Sequence, residues 1–400
     1  MKKTFLSIVI ILTVVGCNAT RQNSNQPNQS SWNEDSVNSF SSFEIDSSIS
    51  DSSSTVPSGD KEPHIVLNNV STFNIHSDLQ QSFLNDENID NIHNYASGVE
   101  ELSYPRSLDL SFSKINIKEN TFYVDLSKDK DFSSFKRYET NSNSVSLTNL
   151  EIGTTYYWKV STDSVSSDVS SFTTLDNGIR NIYVDGMTNV RDIGGYTVNN
   201  NHRIKQGLIY RSARLNVSWQ NEKEYQVSEK GIKTLKEDLS IRSEIDLRRA
   251  GDGETSYIQN SVLGTDINYF DCRCDYGSDH FLIAQKSGIK SMFLALTDLS
   301  NLPAIFHCDI GTDRTGACAF LLGALLGKSE KDLYIDYLFS NFGNIGSSRS
   351  LDSLNEKITD LYSYEGNSLQ EKTINYLVDI GIKRNKIIEL INYCLEPIII

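Results

Sequence analysis

The most constraining feature of this chain is a stretch in which a short apolar run, a compact loop and a longer apolar run follow one another. Residues 302–306 are Leu-Pro-Ala-Ile-Phe, residues 307–316 include two glycines, and residues 317–326 are almost entirely apolar. A short apolar run bounded by turn residues predicts a buried strand, and the longer run predicts a helix that packs on nearly all sides. We therefore expect an α/β domain with this loop at the carboxyl end of a strand in a central, mainly parallel sheet.

The loop places Cys308 at the end of the predicted strand and Arg314 six residues later, in the first turn of the helix. An ordinary thiol, with a pKa near ~8.5, is only slightly ionised at neutral pH, so a nucleophilic cysteine needs a positive environment. The backbone N–H groups of a tight loop and the positive end of a helix dipole provide one, and both also bind phosphate oxygens. The spacing therefore predicts that Cys308 attacks a phosphate ester while the loop amides and Arg314 hold the phosphate.

The residues beside these two have supporting roles in this interpretation. His307 can fix the loop by hydrogen bonding, and the Thr315 hydroxyl can donate to the thiolate. Since the loop carries two aspartates against one arginine, its backbone donors must do much of the anion binding. A lone cysteine would be a small core residue by default, but here cysteine, arginine, glycines and threonine coincide at one spacing. The predicted phosphate-binding residues are Asp309, Ile310, Gly311, Thr312, Asp313 and Arg314.

The loop resembles that of the bacterial tyrosine/serine protein phosphatases in the Cys-x5-Arg superfamily, His-Cys-x-x-Gly-Lys-Asp-Arg-Thr-Gly, some of which also cleave phosphoinositides. Further segments resemble motifs of that family and occur in its order: 189–196, 207–213, 245–248 and 335–341. The resemblance spans roughly residues 180–396. It implies a phosphotyrosine-phosphatase-like fold and a phosphocysteine intermediate on Cys308, without a metal or organic cofactor.

One departure from the family bears on the substrate. Thr312 stands where the family has a lysine, and the chain has 37 Lys plus Arg against 52 Asp plus Glu, a net charge of −15. Both features disfavour a polyanionic substrate. The expected substrate is therefore protein phosphotyrosine, with phosphoserine or phosphothreonine in addition. A phosphoinositide or inositol phosphate is the alternative substrate, and a catalytically silent phospho-binding or adhesion lipoprotein is a further alternative.

Hydrolysis also needs a group that protonates the leaving oxygen and activates water. Asp313 occupies the position of a family aspartate thought to assist. Residues 266–279 read as a strand running into a mobile loop, where Asp275 is the preferred acid and Asp271 and Asp279 are rivals. A surface aspartate is the alternative for each of these three. Two residues of the 245–248 segment could orient the loop or substrate, or form a structural ion pair: Asp246 and Arg248.

The N-terminus predicts export and lipid attachment. Lys2 and Lys3 precede an apolar run over residues 5–15, which is too short to span a bilayer. The run ends in Val-Val-Gly-Cys, which resembles the lipobox of bacterial lipoprotein signal peptides and implies cleavage of residues 1–16 and lipidation of Cys17. The expected location is a membrane face, either the cell surface or the periplasmic side of the outer membrane. An ordinary secretory signal with an incidental cysteine is the alternative.

Three further segments follow the predicted signal peptide. Residues 17–62 are rich in Ser and Asn and predict a disordered tether. Residues 63–176 contain alternating apolar and polar runs and predict a β-sandwich, and the stretch 150–160 resembles the Leu-x-Pro-Gly-Thr-x-Tyr-x-x-x-Val corner of fibronectin type III modules. Residues 76–100 fit this pattern less well and read as an insertion or long loop. Residues 177–400 form the predicted catalytic domain, and the sandwich is expected to be a spacer or docking platform whose ligand the sequence does not name.

Two further classes are disfavoured. No basic stripe interleaved with aromatic residues is present, so nucleic acid is not an expected partner. Six cysteines in 400 residues do not form a disulfide framework. Cys272 and Cys274 are separated by one residue, a poor geometry for pairing, and Cys318 and Cys394 lie on apolar helical faces as expected for core residues.

Overall fold

A computed structural model describes residues 62–198, 201–216, 226–248, 260–275, 277 and 279–398. The predicted signal peptide, Cys17 and residues 18–61 of the predicted tether lie outside these residues. Among the residues that the structure describes, no helix is both long enough and apolar enough to cross a bilayer.

The first folded region consists of two β-sheets. Along the third strand Leu108, Leu110 and Phe112 are buried while Asp109 is exposed, as expected for a strand with one face on a core. The first sheet has the order β1-β3-β6, and the second has the order β2-β8-β7-β4-β5. Trp158 is fully buried in their shared core. The strands are β1 (His64–Leu67), β2 (Thr72–Phe73), β3 (Leu108–Ile115), β4 (Phe122–Ser127), β5 (Lys136–Thr140), β6 (Ser144–Leu147), β7 (Thr155–Ser161) and β8 (Ser170–Thr174).

The helical part of the chain between β2 and β3 does not pack in the sandwich core. It forms α1 (Asp78–Leu84) and a 3-10 helix (Ile89–Asn94), and Ser77 caps α1 in a capping box. Apolar residues of this segment, among them Phe83, belong to the core of the following α/β region, where the Phe83 ring lies 5.9 Å from that of Phe342. The insertion read from the sequence is thus helical, and it forms part of the α/β region.

That α/β region contains a six-stranded sheet of order β15-β14-β16-β13-β10-β9 and a small antiparallel sheet of order β11-β12-β17. Four neighbouring strands, β15, β14, β16 and β13, run parallel. This arrangement confirms the expected α/β fold with a mainly parallel central sheet. The strands are β9 (Arg180–Asn181), β10 (Arg191–Asp192), β11 (Thr197–Val198), β12 (His202–Ile204), β13 (Ile209–Ser212), β14 (Ser243–Asp246), β15 (Asn268–Asp271), β16 (Ala304–His307) and β17 (Leu395–Pro397).

The helices surround this sheet, with α5 at the centre of the packing. Every residue of α5 from Arg314 to Leu325 is buried, because a helix that is apolar on all sides is stable only when other elements cover it. The α-helices are α2 (Glu229–Lys233), α3 (Phe281–Ala284), α4 (Lys286–Thr297), α5 (Asp313–Leu325), α6 (Glu330–Leu338), α7 (Leu351–Ile358), α8 (Leu369–Asp379) and α9 (Arg384–Cys394). Shorter elements are a π-helix (Thr234–Asp238) and the 3-10 helices Leu299–Asn301, Phe339–Phe342 and Thr359–Ser363.

Candidate active site

The loop between β16 and α5 brings the predicted nucleophile and the predicted phosphate-binding arginine together. Cys308 directly follows β16 and is 1% exposed, and Arg314, the second residue of α5, is 3% exposed. At Gly311 φ is +72°, and an added Cβ would lie 2.4 Å from the carbonyl oxygen of Ser212. Only glycine meets both conditions. The loop therefore wraps tightly against β13 and ends at the positive end of a 13-residue helix.

The two loop aspartates are held by arginines from outside the loop. Arg214 donates to Asp309 at 2.9 Å, and Arg349 donates to both oxygens of Asp313 at 3.2 and 3.3 Å. These two pairs balance the negative charges of both loop aspartates. The surroundings of the loop are thus more favourable to an anion than the loop's own side chains. Sequence reasoning missed Arg214 and Arg349, although Arg214 directly follows the 207–213 segment.

A buried network lies beneath the loop and joins three of the segments that resemble family motifs. The Asn189 side chain donates to the carbonyl oxygen of Gly311 at 3.2 Å, and Arg211 donates to the same oxygen at 2.8 Å. Arg191 and Arg211 both bind Asp336 on α6. Burial alone would raise the pKa of Asp336, but Arg211 and Arg191 hold it well below its ordinary value. These residues fix the loop backbone, a role that the sequence analysis did not assign to any of them.

The side chains expected to support the loop differ in whether they make the hydrogen bonds expected of them. The ring of His307 lies 3.2 Å from the carbonyl oxygen of Cys308 through Nδ1, which is the loop-fixing contact expected for it. Thr315 is buried, but its hydroxyl makes no hydrogen bond to another described residue, so the expected donation to the thiolate is not seen. Thr312 is buried as well, with its hydroxyl 3.4 Å from Nδ2 of Asn189. The residue at the family's lysine position therefore contributes to the network beneath the loop.

Asp246 and Arg248 form an ion pair of 2.7 Å, and each is 1% exposed. Arg248 also donates to the carbonyl oxygen of Asn216, and Tyr269 donates to Asp246 at 2.8 Å. Burial would raise the pKa of Asp246, but His307 and Arg248 lower it well below its ordinary value. This geometry matches a structural ion pair, the second of the two roles considered for these residues.

One group of side chains within the described residues has the composition of a metal site. Ligand atoms of Glu244, Asp246 and His307 lie within 4.8 Å of one another. The two carboxylates already accept hydrogen bonds from protein donors, and the guanidinium of Arg248 lies against Asp246. A second cation would be repelled there and would have to displace these donors, so the residues do not fit a metal ion.

The three candidate acids lie in different surroundings. Asp275 is exposed and follows Cys274, whose carbonyl oxygen accepts a hydrogen bond from Arg314 at 3.3 Å. Asp271 is paired with Arg273 at 2.6 Å on the surface, and Asp279 is exposed. The thiols of Cys272 and Cys274 are buried in the core, and this burial raises the pKa of Cys274 to about 12. Of the three candidate acids, Asp275 is therefore the one that directly follows a residue in contact with Arg314.

The comparison with protein-family models bears on the segment that contains this loop. Residues 182–380 match the model of a family described as the tyrosine phosphatase family. No curated protein matches the chain. The match, in the segment that carries Cys308 and Arg314, supports a cysteine-based phosphatase.

Three solved structures share local similarity with the chain. The core catalytic domain of the PP-IP phosphatase Siw14 from S. cerevisiae, in complex with citrate, is 15% identical, covering 46% of this chain and 94% of that chain, with a TM-score of 0.28. P. aeruginosa TpbA in complex with phosphotyrosine is 13% identical, covering 46% of this chain and 91% of that chain, with a TM-score of 0.28. A fibronectin type III domain derived from a human protein is 19% identical, covering 20% of this chain and 71% of that chain, with a TM-score of 0.15.

Proposed function

We propose that this protein hydrolyses phosphate monoesters through a phosphocysteine intermediate. Cys308 Sγ bonds to phosphorus as the ester P–O bond breaks, while the loop amides and Arg314 stabilise the equatorial oxygens. Water then attacks phosphorus, the S–P bond breaks, and inorganic phosphate leaves. The observation that carries this proposal is the placement of Cys308 and Arg314 on one tight loop at the N-terminus of a buried helix.

Asp275 is the proposed general acid. It gives its proton to the leaving oxygen in the first step and takes a proton from water in the second. Its exposure and its position next to Cys274 support this role, because an incoming substrate would lie near Arg314. Asp313 is less suited, since both of its oxygens are bound by Arg349. We assign Asp313 and Arg349 to positioning the loop.

The proposed substrate is phosphotyrosine in a protein. Cys308 is only 1% exposed, and the long, rigid side chain of phosphotyrosine reaches a recessed nucleophile more readily than phosphoserine does. A cavity of about 140 Å³ lies beside loop residues Asp309 and Ile310, with room for a neighbouring side chain of a peptide. The net charge of −15 also opposes polyanions.

A phosphoinositide or inositol phosphate is the second candidate substrate. The observation that favours it is the pair of arginines, Arg214 and Arg349, which balance the two loop aspartates and so reduce the repulsion of an anionic substrate. Comparing kcat/KM for a phosphotyrosine peptide with that for phosphoinositide liposomes decides between the two. We expect the peptide to be preferred, and a preference for the liposomes would transfer the proposal to the lipid.

The enzyme is proposed to be an exported lipoprotein anchored through Cys17. The lipobox-like sequence before Cys17 supports this location, and the two-sheet sandwich between the anchor and the catalytic region supports a spacer or docking role for a fibronectin type III-like module. Labelled palmitate should be incorporated into the wild-type chain and not into the Cys17→Ala chain. Equal labelling of both chains would remove the anchor from the proposal.

Phosphatase activity itself is tested on the full-length chain with para-nitrophenyl phosphate and no added metal. We expect Cys308→Ser and Arg314→Ala to abolish turnover, because one removes the nucleophile and the other removes the phosphate clamp. Cys394→Ser is the matched control: it changes another buried thiol, on α9, and should retain activity. Equal rates in wild type, Cys308→Ser and Arg314→Ala would favour a silent phospho-binding protein instead.

A further inference from the structure

A second ionic cluster adjoins the loop between β16 and α5, residues 308–314, which is called the phosphate loop from here on. It consists of Glu244 and Asp246 on β14, Arg248 just after that strand, and His307 at the end of β16. None of these four side chains is more than 1% exposed. His307 precedes Cys308 in sequence, so the cluster contacts the nucleophile through one residue.

Both ring nitrogens of His307 face oxygen atoms that accept hydrogen bonds. Nε2 lies 3.0 Å from Oε1 of Glu244, and Nδ1 lies 3.2 Å from the carbonyl oxygen of Cys308. A backbone carbonyl cannot donate, so its contact requires a proton on Nδ1. The second oxygen of Glu244 lies 2.5 Å from the Ser261 hydroxyl, so when Glu244 is ionised that hydroxyl donates to it and the contact between Oε1 and Nε2 also requires a donor on the ring. The other proton then lies on Nε2.

The charges of the cluster support the same assignment. Glu244 and Asp246 face one permanent cation, Arg248, and Asp246 also accepts a hydrogen bond from the neutral hydroxyl of Tyr269. With a neutral His307 the cluster would hold an uncompensated negative charge out of contact with water, which is strongly unfavourable. With a doubly protonated His307 the four side chains are electrically balanced.

We propose that Glu244 is a positioning residue that keeps both nitrogens of His307 protonated and so places an imidazolium beside Cys308. Glu244 binds Nε2 while Nδ1 contacts the carbonyl oxygen of Cys308, so the positive charge lies on a ring that contacts the residue of the nucleophile and adds to the loop amides and Arg314 in favouring the thiolate. The use of that thiolate rests on the proposed function. The protonation of His307 does not.

The direct test is the ¹⁵N NMR signal of the histidine rings in the full-length chain, with His307 assigned by its loss in His307→Asn. At about pH 7 the wild-type ring should carry two protons, and the Glu244→Gln ring should carry one. A singly protonated His307 in the wild type overturns the proposal, and so does a doubly protonated one in Glu244→Gln. Glu237→Gln, which removes an exposed carboxylate, is the control and should match the wild type.

A second measurement separates a charge effect from a general structural one. Alkylation of Cys308 in Glu244→Gln should be slower than in the wild type by about tenfold near pH 6, the ratio that corresponds to one pH unit, and should converge with it near pH 9. Slowing by the same factor at every pH would indicate structural damage and contradict the proposal. If Glu244→Gln does not fold, the wild type and Ser261→Ala, which keeps the carboxylate, must both show two ring protons. A doubly protonated His307 in a chain without phosphatase activity would refute the proposed function alone.

Discussion

Asp336 supports the loop between β16 and α5 through its ion pairs with two buried arginines. It is 5% exposed and lies between two buried arginines, Arg191 and Arg211, and Arg211 in turn donates to the carbonyl oxygen of Gly311 at 2.8 Å. Asp336→Asn keeps the shape of the side chain but leaves two buried guanidinium groups without a counter-charge. Removing one partner of a buried ion pair costs about 3–5 kcal/mol. We expect the free energy of unfolding to fall by that amount.

The loss should extend to catalysis, because Arg211 holds the loop backbone. A disturbance worth about 1.4 kcal/mol at the loop lowers kcat/KM tenfold, so we expect at least that loss on para-nitrophenyl phosphate. The measurements are urea unfolding followed by circular dichroism and initial rates at a temperature where the variant is folded. Asp379→Asn is the control, since it makes the same change in an exposed pair with Lys286 and should alter neither quantity appreciably.

The pH dependence of unfolding tests the physical cause. Burial would raise the pKa of Asp336, but Arg211 and Arg191 lower it well below its ordinary value. A carboxyl group whose pKa is lower in the folded state stabilises the fold above its unfolded pKa of about 3.9, and this contribution disappears as the pH falls. The stability difference between wild type and Asp336→Asn should therefore be full at neutral pH and shrink below about pH 4. A difference that is small at neutral pH, or that grows on acidification, would refute the reasoning.

Three other variants test the loop and its surroundings. Asp275→Asn should lower kcat for a phosphotyrosine peptide by about 10²–10⁴-fold. The loss on para-nitrophenyl phosphate should be smaller, because that leaving group needs little protonation. Asp271→Asn should resemble the wild type, and equal losses in the two variants would contradict the assignment of Asp275 as the acid. Gly311→Ala should abolish turnover, since the new Cβ would lie 2.4 Å from a carbonyl oxygen at a φ of +72°; an active, stable variant would contradict the loop geometry. Ile345→Phe should narrow the 140 Å³ cavity and lower kcat/KM several-fold for the peptide only, and unchanged peptide kinetics would exclude the cavity from substrate binding.

The placement of Cys308 and Arg314 on one loop between a strand and a helix could be predicted because the parts of this loop are contiguous in sequence. Cys308, Gly311 and Arg314 lie within seven residues, between an apolar run of strand length and an apolar run of helix length. Local periodicity is enough to place such a segment at the end of a strand and the start of a helix. The Thr315 contact was not seen, because a hydroxyl's partner depends on packing and not on spacing.

The ion pairs around the loop could not be predicted in the same way. Arg349 lies 36 residues from Asp313, and Arg211 lies 125 residues from Asp336. Several segments bring charged residues near the loop, and the sequence does not state which pairs form. Only the packing of α6 and the segment before α7 against the loop selects these partners.

The helical segment between β2 and β3 shows the same division. Its sequence lacks the alternation of its neighbours, which sets it apart from the sandwich, but its apolar residues do not indicate which core they fill. The structure places Phe83 and Ile92 in the α/β core, where Gly98 also exchanges backbone hydrogen bonds with Asn341 and Ile345.

The sequence by itself determined the cysteine-based phosphatase character of this protein and the α/β class of the region that carries it, because both depend on residue types at short, fixed spacings. Tertiary structure alone decided that Arg214 and Arg349 offset the loop aspartates, that Asp336 supports the loop from below, and that His307 faces Glu244. The reason is physical. The energy of a buried charge depends on every group within a few ångströms, and those groups come from parts of the chain that only folding brings together.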